Sequence, residues 1–114
     1  MARTSINVPT MADATQIYNV VNGILRSNGY TERMQGQERI WAKGDGTFIA
    51  MQCAAVQYYQ GQIVLQGWIY DSILGESNLE AKFFGALPKK KLKKLLEQIA
   101  ENIKLLQPGT AGTM

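Results

Sequence analysis

The chain has 114 residues, enough for one domain but not for two, with 46% hydrophobic and 18% charged residues and a net charge of +3. This composition is typical of a folded protein and excludes a disordered chain. The single cysteine excludes an internal disulfide framework, and the absence of histidine removes the commonest metal ligand and general base. We therefore expect one domain over residues 1–107, a flexible tail at 108–114, no metal or cofactor, and no enzyme activity.

No segment resembles a targeting or membrane sequence. The N-terminus lacks the apolar core of a signal peptide, and no apolar run approaches the roughly 18 residues that span a bilayer. We therefore expect a cytoplasmic protein with no membrane partner. Much of the positive charge lies in the lysine run at 89–94, which predicts a solvated helix face; the alternative is attraction to phosphates or to an anionic membrane surface.

The N-terminal part predicts a strand and then an amphipathic helix. Alternation over Thr4–Val8 indicates a short strand that ends at Pro9. Thr10, with Asp13 three residues later, is typical of a helix N-cap with its capping-box partner, and Asn28-Gly29 is typical of a helix end. Between them, apolar residues repeat at helical spacing: Ala14, Ile17, Val21, Ile24 and Leu25.

Several strand-like runs follow, and the turns between them predict which residues pair. Tyr30–Met34 and Glu38–Lys43 are expected to form two strands joined by a turn at residues 35–37. Asp45-Gly46 favours a two-residue type I′ turn, which would place Trp41 opposite Ala50.

The longest hairpin bends at Tyr59-Gln60-Gly61. A three-residue loop that ends in glycine predicts that Tyr58 pairs with Gln62. A two-residue loop would instead place Gln52 opposite Ile69 and mix apolar with polar residues, so we prefer the longer loop. The preferred register gives one mostly apolar face: Ile49, Met51, Cys53, Ala55, Gln57, Ile63, Leu65, Gly67, Ile69 and Asp71. The opposite face is aromatic and rich in amides: Phe48, Ala50, Gln52, Ala54, Val56, Tyr58, Val64, Gln66, Trp68 and Tyr70.

The C-terminal part predicts a crossover and a second helix. Residues 74–87 are expected to cross back over the sheet, with a short strand at Leu79–Phe84, and Pro88 suits the first turn of a helix. That helix has one apolar stripe: Leu92, Leu95, Leu96, Ile99, Ile103 and Leu106. Each helix must bury one stripe and the sheet offers one apolar face. We therefore expect an α+β two-layer sandwich, with four to five antiparallel strands, two helices on one face and the order β-α-β4-α.

Two resemblances support this fold. The order of elements resembles one repeat of the TATA-binding-protein-like fold. Four short segments are similar to a family of small uncharacterised bacterial domains, some of which are joined to a zinc ribbon: Trp41–Gly44, Gly67–Ile69, Gly75-Glu76 and Phe83–Lys90. Because this chain has no CxxC pair, the resemblance implies the fold but no zinc site.

The helix-free face of the predicted sheet is the candidate site. It would carry exposed aromatic, amide and basic side chains: Arg39, Trp41, Lys43, Phe48, Gln52, Gln66, Trp68 and Tyr70. Aromatic residues and arginine are enriched at interface centres, so the leading hypothesis is a homodimer anchored by Trp41, Trp68 and Tyr70. The alternatives are cover by residues 74–87, or binding of a small apolar ligand or of single-stranded nucleic acid through base stacking.

Side chains capable of catalysis are few. Cys53 is expected in mid-strand on the apolar face, as an inert buried thiol. Gly44-Asp45-Gly46 resembles a fragment of a phosphate loop but lies between strands, which predicts a hairpin turn. Asp71 and Glu76 are the sole acid/base candidates, since contact between the two carboxyl groups would raise a pKa.

Overall fold

The computed structural model describes residues 3–44, 50–72, 75–79 and 86–106, with the backbone alone at 86–88. The elements are β1 (Thr4–Pro9), α1 (Ala14–Ser27), β2 (Thr31–Gln35), β3 (Glu38–Lys43), β4 (Met51–Tyr59), β5 (Gln62–Asp71), β6 (Gly75–Ser77) and α2 (Ala86–Lys104). The predicted α+β class, with an antiparallel sheet and two helices, is confirmed. Over the described residues the sheet has six strands and not four or five, because the short β6 joins its edge.

The strands follow the order β1-β5-β4-β3-β2, and every neighbouring pair is antiparallel. β6 pairs with β5 on the edge that also takes β1, so that β1 lies along Gln62–Gly67 and β6 along Ile69–Asp71. Among the described strands, β2 forms the other edge. The register of the central strands β5 and β4 therefore decides which side chains meet the helices.

The turn between β4 and β5 has two residues, and the predicted three-residue loop is wrong. Tyr59 pairs with Gln62, and Gly61 between them has a φ of +82°, which favours glycine. Gln52 consequently lies opposite Ile69. Because side chains alternate along a strand, this shift of one residue places all of β4 on the other face relative to β5.

The register between β3 and β4 also differs from the prediction. Trp41 pairs with Ala54 and not with Ala50, which displaces β3 along β4 by four residues. An even displacement keeps each side chain on its face, so Trp41 still shares a face with Gln52. Several predicted features fall outside the described residues: the Asp45-Gly46 turn, Phe48, residues 80–84 of the predicted strand, and the 108–114 tail.

Both helices pack against the face of the sheet that carries Ile63, Leu65 and Ile69. The buried core on that side combines side chains from α1, α2 and the sheet: Val8, Ile17, Val21, Leu25, Tyr30, Trp41, Ala54, Ile63, Leu65, Ile69, Leu79, Leu92, Leu96, Ile99, Ala100 and Ile103. At Gly67 the approach of α2 is close, because a Cβ there would lie 2.6 Å from Cδ1 of Leu96. The helix therefore packs directly on the strand backbone at this point.

A capping box begins α1, one turn later than predicted. Asp13, and not Thr10, is the N-cap: its carboxylate accepts a hydrogen bond from the backbone of Gln16, whose side chain accepts one from the backbone of Asp13. The helix ends at Ser27, next to the predicted boundary at Asn28. No helix in the described part of the chain combines the length and apolar character needed to cross a lipid bilayer.

Gly23 lies within α1 in open space, since a Cβ there would contact nothing within 4 Å. Replacing Gly23 with alanine is expected to raise the free energy of unfolding by about 0.5–1 kcal/mol, because alanine restricts the unfolded chain and favours the helix. Urea denaturation followed by circular dichroism measures the change. An unchanged or lower stability would contradict an exposed helical environment at Gly23.

Candidate functional site

The predicted interface residues lie on two different faces of the sheet, which corrects the single aromatic face expected from the sequence. Four of them are on the helix side, because the β4–β5 register reverses β3 and β4: Arg39, Trp41, Lys43 and Gln52. Three are on the helix-free face: Gln66, Trp68 and Tyr70. Phe48 is outside the described residues.

Trp41 is a core residue. It is 4% exposed, its ring centroid lies 5.9 Å from that of Tyr18, and its Nε1 donates a hydrogen bond to Asn22 Oδ1 at 3.2 Å. Tyr18 and Asn22 both belong to α1, so the indole joins this helix to β3. Trp41 is therefore covered by α1 and offers no surface to a partner.

Arg39 lies on the helix side of β3, where its side chain is largely exposed, and it makes a polar contact with the edge strand β2. Its Nη1 is 3.8 Å from Glu32 Oε2, while Glu32 Oε1 accepts a hydrogen bond of 2.6 Å from the Tyr18 hydroxyl. The Tyr18 pKa is raised, chiefly by this hydrogen bond. Arg39 thus helps to tie β2 and β3 to α1, away from the helix-free face.

One side chain, Arg3, crosses the helix-free face. Its guanidinium forms hydrogen bonds of 2.8 and 2.9 Å to Glu38 on β3, and of 3.0 and 3.1 Å to Glu76 on β6. It also donates to Gln66 Oε1 at 3.2 Å. All of the guanidinium N–H groups are therefore engaged. We refer to Arg3, Glu38 and Glu76 as the arginine clamp.

The arginine clamp covers Trp68. The Arg3 guanidinium carbon lies 3.5 Å from the ring centroid in a cation–π contact, and Trp68 is 0% exposed. A second buried cluster surrounds the indole: Ile40, Ala42, Met51, Cys53 and Ala55, with Tyr70 packed against it. Within the described residues, the Trp68 Nε1 donor has no hydrogen-bond partner. The predicted anchor is thus enclosed by the chain's own side chains and offers no ring face for stacking.

Hydrogen bonding favours the charged forms of Arg3 and Glu38. The Arg3 guanidinium lowers the pKa of the Glu38 carboxyl, chiefly through the hydrogen bonds between them. The same bonds raise the pKa of Arg3. One positive and two negative groups, a net charge of −1, therefore meet over Trp68 at neutral pH.

The end of the sheet beside the β4–β5 turn has exposed side chains on both faces: Tyr59 and Val64 lie on the helix-free face, and Tyr58, which pairs with Ile63, lies on the helix side. Residues 5–12 and 51–70 contain no charged side chain, and β1, β4 and β5 bring the two segments together beside the β4–β5 turn. Three large apolar side chains are exposed there, Met11 at 70%, Tyr58 at 46% and Tyr59 at 55%, around a cleft of about 240 Å³. We refer to this end as the neutral tip, comprising Asn7, Pro9, Met11, Gln57, Tyr58, Tyr59, Gln62 and Val64.

The described residues offer little for catalysis. Burial raises the pKa of Cys53 to about 12, so this thiol stays protonated near neutral pH. Asp71 and Glu76 lie on opposite faces of the sheet, because Glu76 pairs with Tyr70, and Glu76 is bonded to Arg3; the expected acid/base pair is wrong. No group of three or more Asp, Glu, Cys or His side chains that could hold a metal ion is found within the described ranges.

In three comparisons with known proteins, the chain matched no family model, no curated protein and no solved structure.

Two groups of candidate residues were not identified from the sequence. Arg3 gave no local signal, because its partners Glu38 and Glu76 are 35 and 73 residues away. The neutral tip did have a signal, since two long stretches without charge are visible in the sequence.

Proposed function

We propose that this chain is a non-enzymatic interaction domain that self-associates, as a homodimer, through the neutral tip. The observation that carries the proposal is the grouping of exposed Met11, Tyr58 and Tyr59, which belong to two segments, 5–12 and 51–70, without charged residues. Exposed apolar patches with a polar rim are typical of protein interfaces. Tyrosine supplies a large, rigid contact area at low entropic cost, and methionine adapts to irregular surfaces.

A second copy of the chain is the partner that the charge distribution favours. Each copy carries a net charge of +3, so two copies repel where their lysine-rich surfaces approach. This repulsion is smallest at the neutral tip. Glutamine and asparagine amides both donate and accept hydrogen bonds, so a surface rich in them is complementary to itself across a two-fold axis.

The proposed contact surface differs from the aromatic face expected from the sequence. Trp68 lies beneath the arginine clamp, so the neutral tip, which has exposed side chains on both faces of the sheet, takes its place. Base stacking by single-stranded nucleic acid has less support, because both indoles are buried and Lys43 lies on the helix side. A small apolar ligand also has less support, since the cleft at the tip, about 240 Å³, is smaller than common ligand sites.

Sedimentation velocity over a range of protein concentrations tests the proposal with two matched variants. Tyr59→Glu places a charge within the neutral tip and is expected to weaken dimerisation at least tenfold, as loss of an interface hot spot does. Met34→Glu places the same charge on another exposed side chain, on the edge strand β2, and is expected to dimerise within about twofold of the wild type. Equal association of the wild type and Tyr59→Glu would contradict the proposal.

We also propose the finer description of the fold, a two-layer sandwich of TATA-binding-protein-like topology related to the bacterial domains that the chain resembles. The element order and the packing of both helices against one face of the sheet support it. The domain would act in the cytoplasm, where the single Cys53 remains a thiol.

A further inference from the structure

We propose that a cleft at the opposite end of β4 from the neutral tip binds a small phosphorylated metabolite. The cleft has a volume of about 440 Å³ and lies between the end of α1, the strands β3 and β4, and α2. Its polar lining comprises Asn28, Tyr30, Lys43, Gln52, Lys91 and Lys94. The site is independent of self-association, because the cleft and the neutral tip share no residue.

The cleft is strongly positive. Lys43 comes from β3, while Lys91 and Lys94 lie one turn apart on α2. No described residue that lines the cleft is acidic. Asp71, the last residue of β5 and on the helix side of the sheet, does not line it. Within the described part of the chain, none of the three lysines forms an ion pair with a carboxylate. A concave site with uncompensated positive charge concentrates anions.

Lys43 is held in place within the cleft. Its Nζ donates to the backbone carbonyl of Asn28 at 3.1 Å and lies 5.8 Å from the centroid of the Tyr30 ring. Its stem passes over Gly29, where φ is +91° and a Cβ would lie 3.4 Å from Lys43 Cε. An ammonium group held in this way loses little freedom when a ligand binds, and it keeps further N–H donors for that ligand.

Gln52 adds a neutral donor to the lysines. The Tyr30 hydroxyl donates to Gln52 Oε1 at 2.8 Å, so the amide oxygen is engaged and the Nε2 group is left to donate. Burial raises the pKa of Tyr30, so this hydroxyl stays protonated and keeps the amide oriented. Ammonium and amide donors together suit the oxygens of a phosphate group.

The size of the cleft indicates an organic phosphate and not a lone inorganic ion. Ligand sites commonly enclose about 300–1,000 Å³, and this cleft, at about 440 Å³, falls within that range. Leu95 and the Tyr30 ring supply apolar contact for the organic part. Three lysines match a phosphate ester or diphosphate with at least two negative charges. They converge in one cleft and form no extended track, which disfavours a nucleic-acid backbone.

Isothermal titration calorimetry of the full chain with sodium pyrophosphate, at about 0.15 M salt, tests the site. One-to-one, saturable binding is expected for the wild type. The double variant Lys43→Gln/Lys91→Gln is expected to bind at least tenfold more weakly. The double variant Lys90→Gln/Lys104→Gln removes the same charge from exposed positions outside the cleft, and it is expected to bind within about twofold of the wild type.

A second readout separates the cleft from diffuse charge attraction. The side-chain amide signal of Gln52 in ¹⁵N NMR spectra is expected to shift when pyrophosphate is added to the wild type, and to stay fixed in the Lys43→Gln/Lys91→Gln variant. Absence of saturable binding by the wild type would overturn the proposal, as would equal weakening in the two double variants. The proposal would also be overturned if the protein bound phosphatidylserine vesicles or a single-stranded RNA oligonucleotide and pyrophosphate did not displace them.

Discussion

Replacing Gly67 with valine is expected to lower the free energy of unfolding by about 3 kcal/mol, as measured by urea denaturation. A Cβ at this position would lie 2.6 Å from Cδ1 of Leu96 and 3.0 Å from Cδ1 of Leu79. Both leucines are buried, so neither can move aside into solvent. Valine is otherwise the better strand residue, and at a solvent-facing position the same change would stabilise the protein. The sign of the effect therefore reports which face of β5 meets α2.

A second substitution provides the control for Gly67→Val. Leu96→Ala alone removes buried contacts and is expected to cost about 2–5 kcal/mol. In the double variant, the smaller alanine vacates the space that valine needs, so the combined cost is expected to fall short of the sum by about 1 kcal/mol or more. Strictly additive costs would contradict direct packing between residues 67 and 96.

Replacing Arg3 with methionine is expected to lower the free energy of unfolding by about 2–3 kcal/mol. Methionine keeps an unbranched stem over Trp68 but leaves Glu38 and Glu76 without their cation. The Arg3 side chain is 12% exposed, against 36% and 26% for the two glutamates, so solvent reduces the cost below that of a fully buried pair. Chemical denaturation at neutral pH measures the difference.

The effect of Arg3→Met is also expected to depend on pH. Because Arg3 lowers the pKa of Glu38 in the folded state, this pair stabilises the fold above the ordinary glutamate pKa, and the stabilisation is lost as the pH falls through the lowered value. The stabilities of the wild type and Arg3→Met should therefore converge in acid. Adding Glu38→Gln and Glu76→Gln to the variant removes the unpaired charges and should restore most of the stability at neutral pH. A gap that stays constant at every pH would argue against a charge-based role for the clamp.

Structural features that depend only on residues close together in the chain could be predicted from the sequence. The apolar spacing predicted α1 and its end beside Asn28, although the N-cap of the helix is Asp13 and not Thr10. The side of β5 that meets the helices was also predicted correctly, since Ile63, Leu65 and Ile69 stand in strict alternation and all join the helix-side core. Both signals are contained within a few turns or strand residues, so no distant contact is needed to interpret them.

The faces of β3 and β4 could not be predicted, because they depend on the length of one turn. Gly61 suits a two-residue loop as well as a three-residue loop. The choice between them relied on separating apolar from polar side chains, but β4 has apolar residues on both faces, such as Ala54 on the helix side and Cys53 on the other. An error of one residue in the predicted β4–β5 register therefore placed Trp41 on the exposed face, although it lies in the core.

Two of the candidate sites, the arginine clamp and the cleft, depend on contacts that no local pattern contains. Arg3, just before β1, binds Glu76 because β1 and β6 share one edge of β5, and it reaches Glu38 on β3, two strands beyond β5. The lysine run of α2 was expected to be a solvated face. Part of this face, Lys91 and Lys94, instead lines a cleft together with Lys43 from the distant strand β3.

The most direct test of self-association is a dilution series of ¹⁵N–¹H NMR spectra of the wild-type chain, between about 1 mM and 20 μM. The backbone signals expected to move are those of the neutral tip, including Asn7, Gln57, Tyr59 and Gln62, while the signals of β2 stay fixed. Spectra that do not change with concentration, or changes concentrated on β2 or α2, would contradict a dimer formed through the neutral tip.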